Sequence, residues 1–74
     1  MPDLASVIRS DPAILGGTPV FAGTRVPVRI LIEHLTAGDS LDKFLDSYPS
    51  VLREQAVAVL EHAGELLVSR ADTA

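Results

Sequence analysis

The stretch GGTPVFAGTRVPV, residues 16–28, contains three glycines and two of the five prolines of this 74-residue chain. Glycine takes positive φ at little cost and proline fixes φ, so both mark places where the backbone turns sharply. Residues 19–21 read as a short β-strand, Ala22-Gly23 as a tight turn and residues 24–26 as a returning strand. We therefore predict a β-hairpin, which must pack against helices or a second copy because a two-stranded hairpin is marginal alone.

The residues flanking this stretch predict a strand before it and a helix after it. Residues 6–10 read as a brief strand, which the Asp11-Pro12 turn signal ends. Pro27 suits the first position of a helix, where its missing N–H costs nothing, and Gly38 suits a left-handed helix end. The apolar residues between them recur at the i, i+3, i+4, i+7 spacing of one helical face, namely Val28, Leu31, Ile32 and Leu35.

The second half of the chain predicts two more helices joined by a short turn. Ser40 is placed to cap the first of them, and Tyr48-Pro49 ends it because the residue before a proline disfavours the α region. Ser50 is placed to cap a last helix of about five turns. The predicted inner faces comprise Leu41, Phe44 and Leu45 in the short helix and Leu52, Ala56, Val59, Leu60, Ala63 and Leu67 in the long one. A short helix, a turn and a longer capped helix have the layout of a helix-turn-helix.

Length and composition bound the class of protein. A chain of 74 residues forms one small domain, and 47% hydrophobic residues indicate a folded rather than a disordered one. The chain has no cysteine, which excludes disulfides and thiolate metal sites, so we expect pairing with another copy to add stability. No apolar run approaches the roughly 20 residues that span a bilayer, and residues 1–12 lack the layout of a signal peptide. We therefore expect a cytoplasmic protein without membrane contact.

The charge distribution argues against nonspecific binding of nucleic acid. The net charge is −4, and all of it lies in residues 38–74 because residues 1–37 are balanced. Any phosphate contact therefore has to come from a local cluster of basic side chains that acts against the overall field.

A long ordered motif runs through most of the chain. Its pattern is G-G-x-P-V-x-x-G-T-R-[VI]-P-V, then a helix that ends in G-x-S, a short helix that closes with Y-P, and a last helix with spaced alanines. The matching positions are Gly16, Gly17, Pro19, Val20, Gly23, Thr24, Arg25, Val26, Pro27, Val28, Gly38, Ser40, Tyr48 and Pro49. Over residues 8–66 the chain thus resembles the bacterial and archaeal family of domain of unknown function 433.

The resemblance implies a mainly α fold: a three-helix, homeodomain-like helix-turn-helix bundle with a short N-terminal β-hairpin, usually paired as a homodimer. We expect one domain over residues 1–74, with the hairpin segment in residues 6–26 and the three helices in residues 27–69. Family members are similar to VapB-type antitoxins, which bind and inhibit a PIN-like ribonuclease toxin and bind operator DNA. Many antitoxins wrap the toxin with a long C-terminal extension, and here the expected toxin contacts lie on folded surfaces or around Arg70.

The helix-turn-helix layout nominates residues that contact DNA. The front of the last helix would enter the major groove, where arginine reads guanine, glutamine reads adenine and glutamate accepts from cytosine. The candidates are Arg25, Arg29 and Lys43 for phosphates, and Ser50, Arg53, Glu54, Gln55 and Val57 for the groove. Two alternatives stay open: the face is an ordinary solvated surface, and Arg25 is a buried or half-buried guanidinium that holds the hairpin to the helix.

Apolar residues away from the predicted inner face nominate a surface for dimer or toxin contact. Val57 and Val68 point away from that face, and Val20 and Phe21 lie on a hairpin that nothing in the sequence supports. Complexes of such antitoxins often place an arginine in the acidic, metal-binding pocket of the toxin, a role open to Arg70 or Arg53. The alternative is a scatter of exposed apolar residues, which is ordinary on protein surfaces.

Other chemistry receives little support. The acidic pairs Asp42/Asp46 and Glu61/Glu65 stand at i, i+4, which far more often makes a solvated face than a metal site. No nucleophile elbow and no GxxxxGK[ST] loop is present, so we expect no enzyme, cofactor, metal or small-molecule substrate. The acidic second half and the lack of a basic arm favour one alternative function, a dimeric protein-interaction module that does not bind DNA.

Overall fold

The computed structural model describes residues 4–73. In chain order it contains α1 (Leu4–Val7), β1 (Ile8–Arg9), a short 3-10 helix (Leu15–Gly17), β2 (Val20–Phe21), α2 (Val28–Thr36), α3 (Leu41–Ser47) and α4 (Arg53–Thr73). Helices dominate, and the two short strands form an antiparallel pair near the N-terminus, which confirms the predicted fold class. Among the described residues, no helix has the combination of length and apolar character that a bilayer crossing requires.

The strands of the N-terminal hairpin pair differently from the prediction. Ile8 lies opposite Phe21 and Arg9 opposite Val20, so the partner of β2 is β1. The returning strand predicted over residues 24–26 does not form. The N–H of Phe21 donates to the carbonyl of Val26 at 3.0 Å, and an isolated bridge joins Val20 to Pro27, which has no N–H with which to extend the ladder. The first half of the predicted 6–10 strand belongs instead to α1, which packs against α4.

The turn predicted at Ala22-Gly23 is confirmed. The N–H of Thr24 donates to the carbonyl of Phe21 at 3.0 Å, and Gly23 has a φ of +78°, a value that side chains disfavour. The hydroxyl of Thr24 donates to the same carbonyl at 2.8 Å and accepts from the N–H of Val26 at 3.0 Å. These two hydrogen bonds of the Thr24 side chain therefore stabilise the turn.

The C-terminal end of α2 and the start of α3 follow the predicted local signals, whereas Pro27 is the extended cap before α2 and not its first residue. Gly38 has a φ of +93°, and the N–H of Asp39 donates to the carbonyl of His34 at 2.9 Å, which closes α2 in a Schellman motif. The hydroxyl of Ser40 accepts from the N–H of Lys43 at 3.1 Å and caps α3. Three residues, Ala37, Gly38 and Asp39, thus separate the last residue of α2 from the cap of α3.

The start of α4 corrects the sequence analysis. The helix begins at Arg53, so Ser50 is not its cap. The N–H of Val51 donates to the carbonyl of Tyr48 at 3.0 Å, and this turn occupies the positions that were assigned to the first helical turn. The corner between α3 and α4 is nevertheless present, as a helix-turn-helix requires.

The core lies where α2, α3 and α4 meet the hairpin. Phe21, Leu31 and Phe44 are fully buried, and the rings of Phe21 and Phe44 lie 6.0 Å apart between centroids. The remaining buried apolar residues are Val7, Val20, Val51, Ala56, Ala58 and Val59. Three residues predicted on inner faces are exposed instead: Ile32, Leu52 and Leu67.

Candidate functional site

The front of α4 presents polar and apolar side chains to solvent, as the helix-turn-helix layout predicts. Arg53, Glu54 and Val57 are exposed on its first turns, and Ser50 is exposed on the preceding turn. Arg53 also forms an ion pair with Asp42 of α3. The surface predicted to face the DNA groove is therefore accessible to solvent. Its cation, Arg53, is already paired with a carboxylate of the neighbouring helix.

Gln55 does not belong to this accessible surface, which makes its prediction as an adenine-reading residue wrong. The side chain is buried, and its Oε1 accepts from the N–H of Leu52 at 2.9 Å. Its Nε2 donates to the carbonyl of Ala22 at 3.0 Å. Both ends of the amide are thus occupied within the chain, where they cap α4 and fasten it to the hairpin turn.

The other basic side chains nominated for phosphate contact include two that are paired with carboxylates. A guanidinium nitrogen of Arg29 lies 3.1 Å from Glu33, and the amine of Lys43 lies 3.3 Å from Asp39. Exposed ion pairs of this kind contribute little to stability, so a phosphate could replace the carboxylate at low cost. The carboxylates nevertheless make the electrostatic potential around these cations less positive than the cations alone would make it.

Arg25 lies in a different setting. Its side chain is exposed and makes no hydrogen bond or ion pair with residues 4–73, which overturns the interpretation of a half-buried guanidinium that clamps the hairpin. Together with Arg9, Thr24 and Ser50 it lines a concave surface of about 400 Å³. Arg9 was not nominated from the sequence, since only the pairing of β1 with β2 brings it beside the turn.

The C-terminal part of α4 leaves the core. Every residue from 64 to 71, a segment we call the α4 arm, is exposed, and at 1.5 Å per residue it spans about 12 Å. Its side chains include Leu66, Leu67 and Val68, which are 56%, 69% and 62% exposed, and Arg70 lies in its last turn. At its base, a concave surface of about 510 Å³ is lined by Ile8, Val59, Ala63 and Leu66 among others.

The apolar residues nominated for partner contact divide into two groups. Val57 and Val68 are exposed, as predicted. Val20 and Phe21 are 1% and 0% exposed, so their assignment to a dimer or toxin surface is wrong. The hairpin is packed against the rest of the protein, because β1 and the helices cover its apolar side.

A cluster of polar and aromatic side chains joins α2 to α3. The Nδ1 atom of His34 lies 2.9 Å from Asp39, and the imidazole meets the rings of Phe44 and Tyr48 edge-on, with centroids 5.5 Å and 5.7 Å away. The side-chain hydrogen bond from Lys43 is the main cause that lowers the pKa of Asp39 below its usual value, and His34 adds to it against partial desolvation. These contacts join the C-terminal end of α2 to α3.

Comparison with known proteins identifies the family. The profile of the family "Protein of unknown function (DUF433)" matches residues 8–63. The chain is a member of the DUF433 family. It is also similar to the uncharacterized protein y4eO of Sinorhizobium fredii, with 45% identity over 56 residues. That match covers 72% of this chain and 25% of the relative, so the chain spans about a quarter of that protein's length.

A solved structure supports the fold of this DUF433 chain. The crystal structure of a DUF433 member from Anabaena variabilis superposes with a TM-score of 0.71 at 27% identity, covering 95% of this chain and 68% of that one. The shared fold thus includes the hairpin, the corner and α4. In the DUF433 chain, the structure gathers three distinct surfaces around this frame: the front of α4, the concave surface beside Arg9 and Arg25, and the α4 arm.

Proposed function

We propose that this chain is the antitoxin of a type II toxin-antitoxin system, which binds and inhibits a PIN-like ribonuclease toxin and binds operator DNA as a homodimer. The observation that carries the proposal is the α4 arm. A helical segment with adjacent exposed leucine and valine side chains, beyond the last core residue of its helix, is apolar surface that association with another protein would bury.

The arm suits a toxin because of what it offers along its length. Leu66, Leu67 and Val68 supply apolar contact, and Arg70, one turn further, supplies a cation. Helices that lie in a groove of a partner use i, i+3, i+4 anchors, and Arg70 stands at i+4 from Leu66 and at i+3 from Leu67. In the antitoxins that the family resembles, an arginine enters the acidic, metal-binding pocket of the ribonuclease, and Arg70 is the candidate here.

The antitoxin function is tested by co-expression with a candidate partner, a PIN-like ribonuclease sought among the genes that neighbour the gene for this chain. We expect the intact chain to restore growth and a Leu67→Glu variant to fail, because a carboxylate on the arm would be buried against the toxin. Leu52→Glu is the matched control, since it makes the same change at an exposed leucine far from the arm. Equal toxicity with and without the intact chain would remove the antitoxin proposal.

DNA binding is the second part of the proposal and has its own support. Arg53, Glu54 and Val57 lie together and exposed at the front of α4, with Ser50 on the turn before it. A gel shift with the chain's own promoter tests it. We expect a complex that weakens steeply with salt and that Arg53→Ala impairs, since phosphate contacts release counterions and arginine reads guanine.

A dimeric protein-interaction module without a DNA role is the second candidate function. It is favoured by the ion pairs that engage Arg29, Lys43 and Arg53 with neighbouring carboxylates. These pairs lower the positive potential on the faces that would meet phosphates. Absence of any gel shift, for the chain alone and with its toxin partner, together with a dimer by light scattering, would decide for this module.

A further inference from the structure

Two arginines line the concave surface beside the hairpin turn, and neither has a carboxylate partner within residues 4–73. Arg9 ends β1 and Arg25 follows the turn at Gly23, so chain segments far apart in sequence supply the two charges. By contrast, Arg29, Lys43 and Arg53 are each paired with an acidic side chain. In a chain of net charge −4, a site whose described lining holds two cations and no acidic side chain is a local exception.

The site is held by rigid backbone. Thr24, the residue before Arg25, has its hydroxyl fixed by the carbonyl of Phe21 at 2.8 Å and the N–H of Val26 at 3.0 Å. Arg9 is held by the pairing of β1 with β2. Ser50 also lines the site and contributes a hydroxyl that makes no hydrogen bond with the described residues. The volume of about 400 Å³ falls within the range of sites that bind small molecules.

We propose that this concave surface binds a phosphate group, with Arg9 and Arg25 as its cationic ligands and the hydroxyl of Ser50 as a neutral donor. Guanidinium groups match the oxygens of phosphate in two-point hydrogen bonds, which a carboxylate-free site leaves available. Two sources share this chemistry, the backbone of a nucleic acid and a free phosphate ion or ester. The nucleic-acid source rests on the proposed DNA binding, where a phosphate held beside Ser50 would position the front of α4.

Nuclear magnetic resonance titration of the labelled full chain tests the site. The Nε–Hε signals of the arginines are followed while inorganic phosphate, and separately a short duplex of unrelated sequence, is added at low salt. We expect the signals of Arg9 and Arg25 to shift together and to saturate. Arg9→Gln and Arg25→Gln should each weaken binding about tenfold, since each removes charge-assisted hydrogen bonds to the phosphate.

The control variant is Gly64→Glu, which lowers the net charge by the same one unit at an exposed position of α4 with open space around it. A loss of affinity in Gly64→Glu as large as in the arginine variants would overturn the proposal, because the effect would then be one of overall charge. Unmoved Arg9 and Arg25 signals with both probes would also overturn it.

The same titration distinguishes the backbone of a nucleic acid from free phosphate as the ligand of the site. It also distinguishes failure of the phosphate-site proposal from failure of the proposed DNA binding. Saturable shifts with phosphate but none with the duplex support a site for free phosphate and count against DNA binding. Duplex binding that neither arginine variant weakens supports DNA binding and overturns the phosphate site. Shifts with both probes, abolished in both variants, support the site as a contact for the nucleic-acid backbone.

Discussion

The side chain of Gln55 joins the two halves of the molecule, and its replacement by leucine should destabilise the fold strongly. Gln55→Leu keeps the volume near that of glutamine but removes the hydrogen bonds to the N–H of Leu52 and to the carbonyl of Ala22. A buried polar group that loses its partner costs about 1–3 kcal/mol. The N–H of Leu52 belongs to an exposed residue, so the loss of its bond should cost about 1 kcal/mol, the lower limit of this range. With about 1–3 kcal/mol for the carbonyl of Ala22, we expect the free energy of unfolding to fall by about 2–4 kcal/mol.

Thermal unfolding followed by circular dichroism measures this effect. One kcal/mol shifts the Tm of a 60–100-residue domain by about 4–8 °C, so the Tm of Gln55→Leu should fall by at least about 8 °C. Gln55→Glu separates the two bonds, because a carboxylate still accepts from Leu52 but repels the carbonyl of Ala22. A protonated carboxyl donates again, so this variant should approach the wild-type Tm as the pH falls to about 4 or below. A Tm for Gln55→Leu within about 2 °C of wild type would refute the reasoning.

Three further predictions concern the core, the turn and the α2–α3 corner. Phe44→Ala should cost about 3–5 kcal/mol because its ring is fully buried, and a cooperative thermal transition near the wild-type Tm would contradict this. Gly23→Val should cost about 1–3 kcal/mol in urea unfolding through strain at φ +78° alone, since space at the site is open, and an unchanged midpoint would show that the turn tolerates side chains. The pKa of Asp39 is about 3.8 in the unfolded chain and lower in the fold, so this carboxylate stabilises the folded state at pH values above about 3.8. The amount by which the Tm of wild type exceeds that of Asp39→Asn should therefore shrink as the pH falls below 3.8. A Tm difference that stays constant would contradict this prediction.

The parts of the fold that local chemistry determines were predictable from the sequence. Gly38 ends α2 and Ser40 caps α3 as predicted, because these signals act within a few residues of the chain. The turn at Gly23 belongs to the same class. The position of Phe44 at the centre of the core also follows from helical spacing.

The errors arise where distant segments decide the outcome. Val20 and Phe21 were assigned to an exposed hairpin because the sequence gives no sign that β1 and the helices would cover them. The prediction that Gln55 reads adenine rests on its side-chain chemistry and its place in the first turns of the last helix, whereas its real partner, Ala22, lies in the hairpin turn. A glutamine three residues after the residue that precedes a helix is a known capping signal, and the spacing from Leu52 to Gln55 could have located the true start of α4.

The candidate site was predictable only in outline. The exposed front of α4 follows from the helix-turn-helix layout, but the carboxylate partners of its neighbouring cations depend on how α3 meets α4. The role of Arg9 depends on the pairing of β1 with β2, and a strand of two residues is too short to be predicted from the sequence pattern. The α4 arm was partly foreseen through Val68 and Arg70, while Leu67 was wrongly placed in the core.

Inhibition of the purified PIN-like ribonuclease by this chain tests the proposed function most directly. RNA cleavage is measured as the chain is added, with the intact sequence, Leu67→Glu and Leu52→Glu in parallel. We predict that the intact chain and Leu52→Glu stop cleavage at stoichiometric amounts and that Leu67→Glu needs a large excess. Cleavage that continues unaffected by the intact chain, or that Leu67→Glu stops equally well, would contradict the role assigned to the α4 arm.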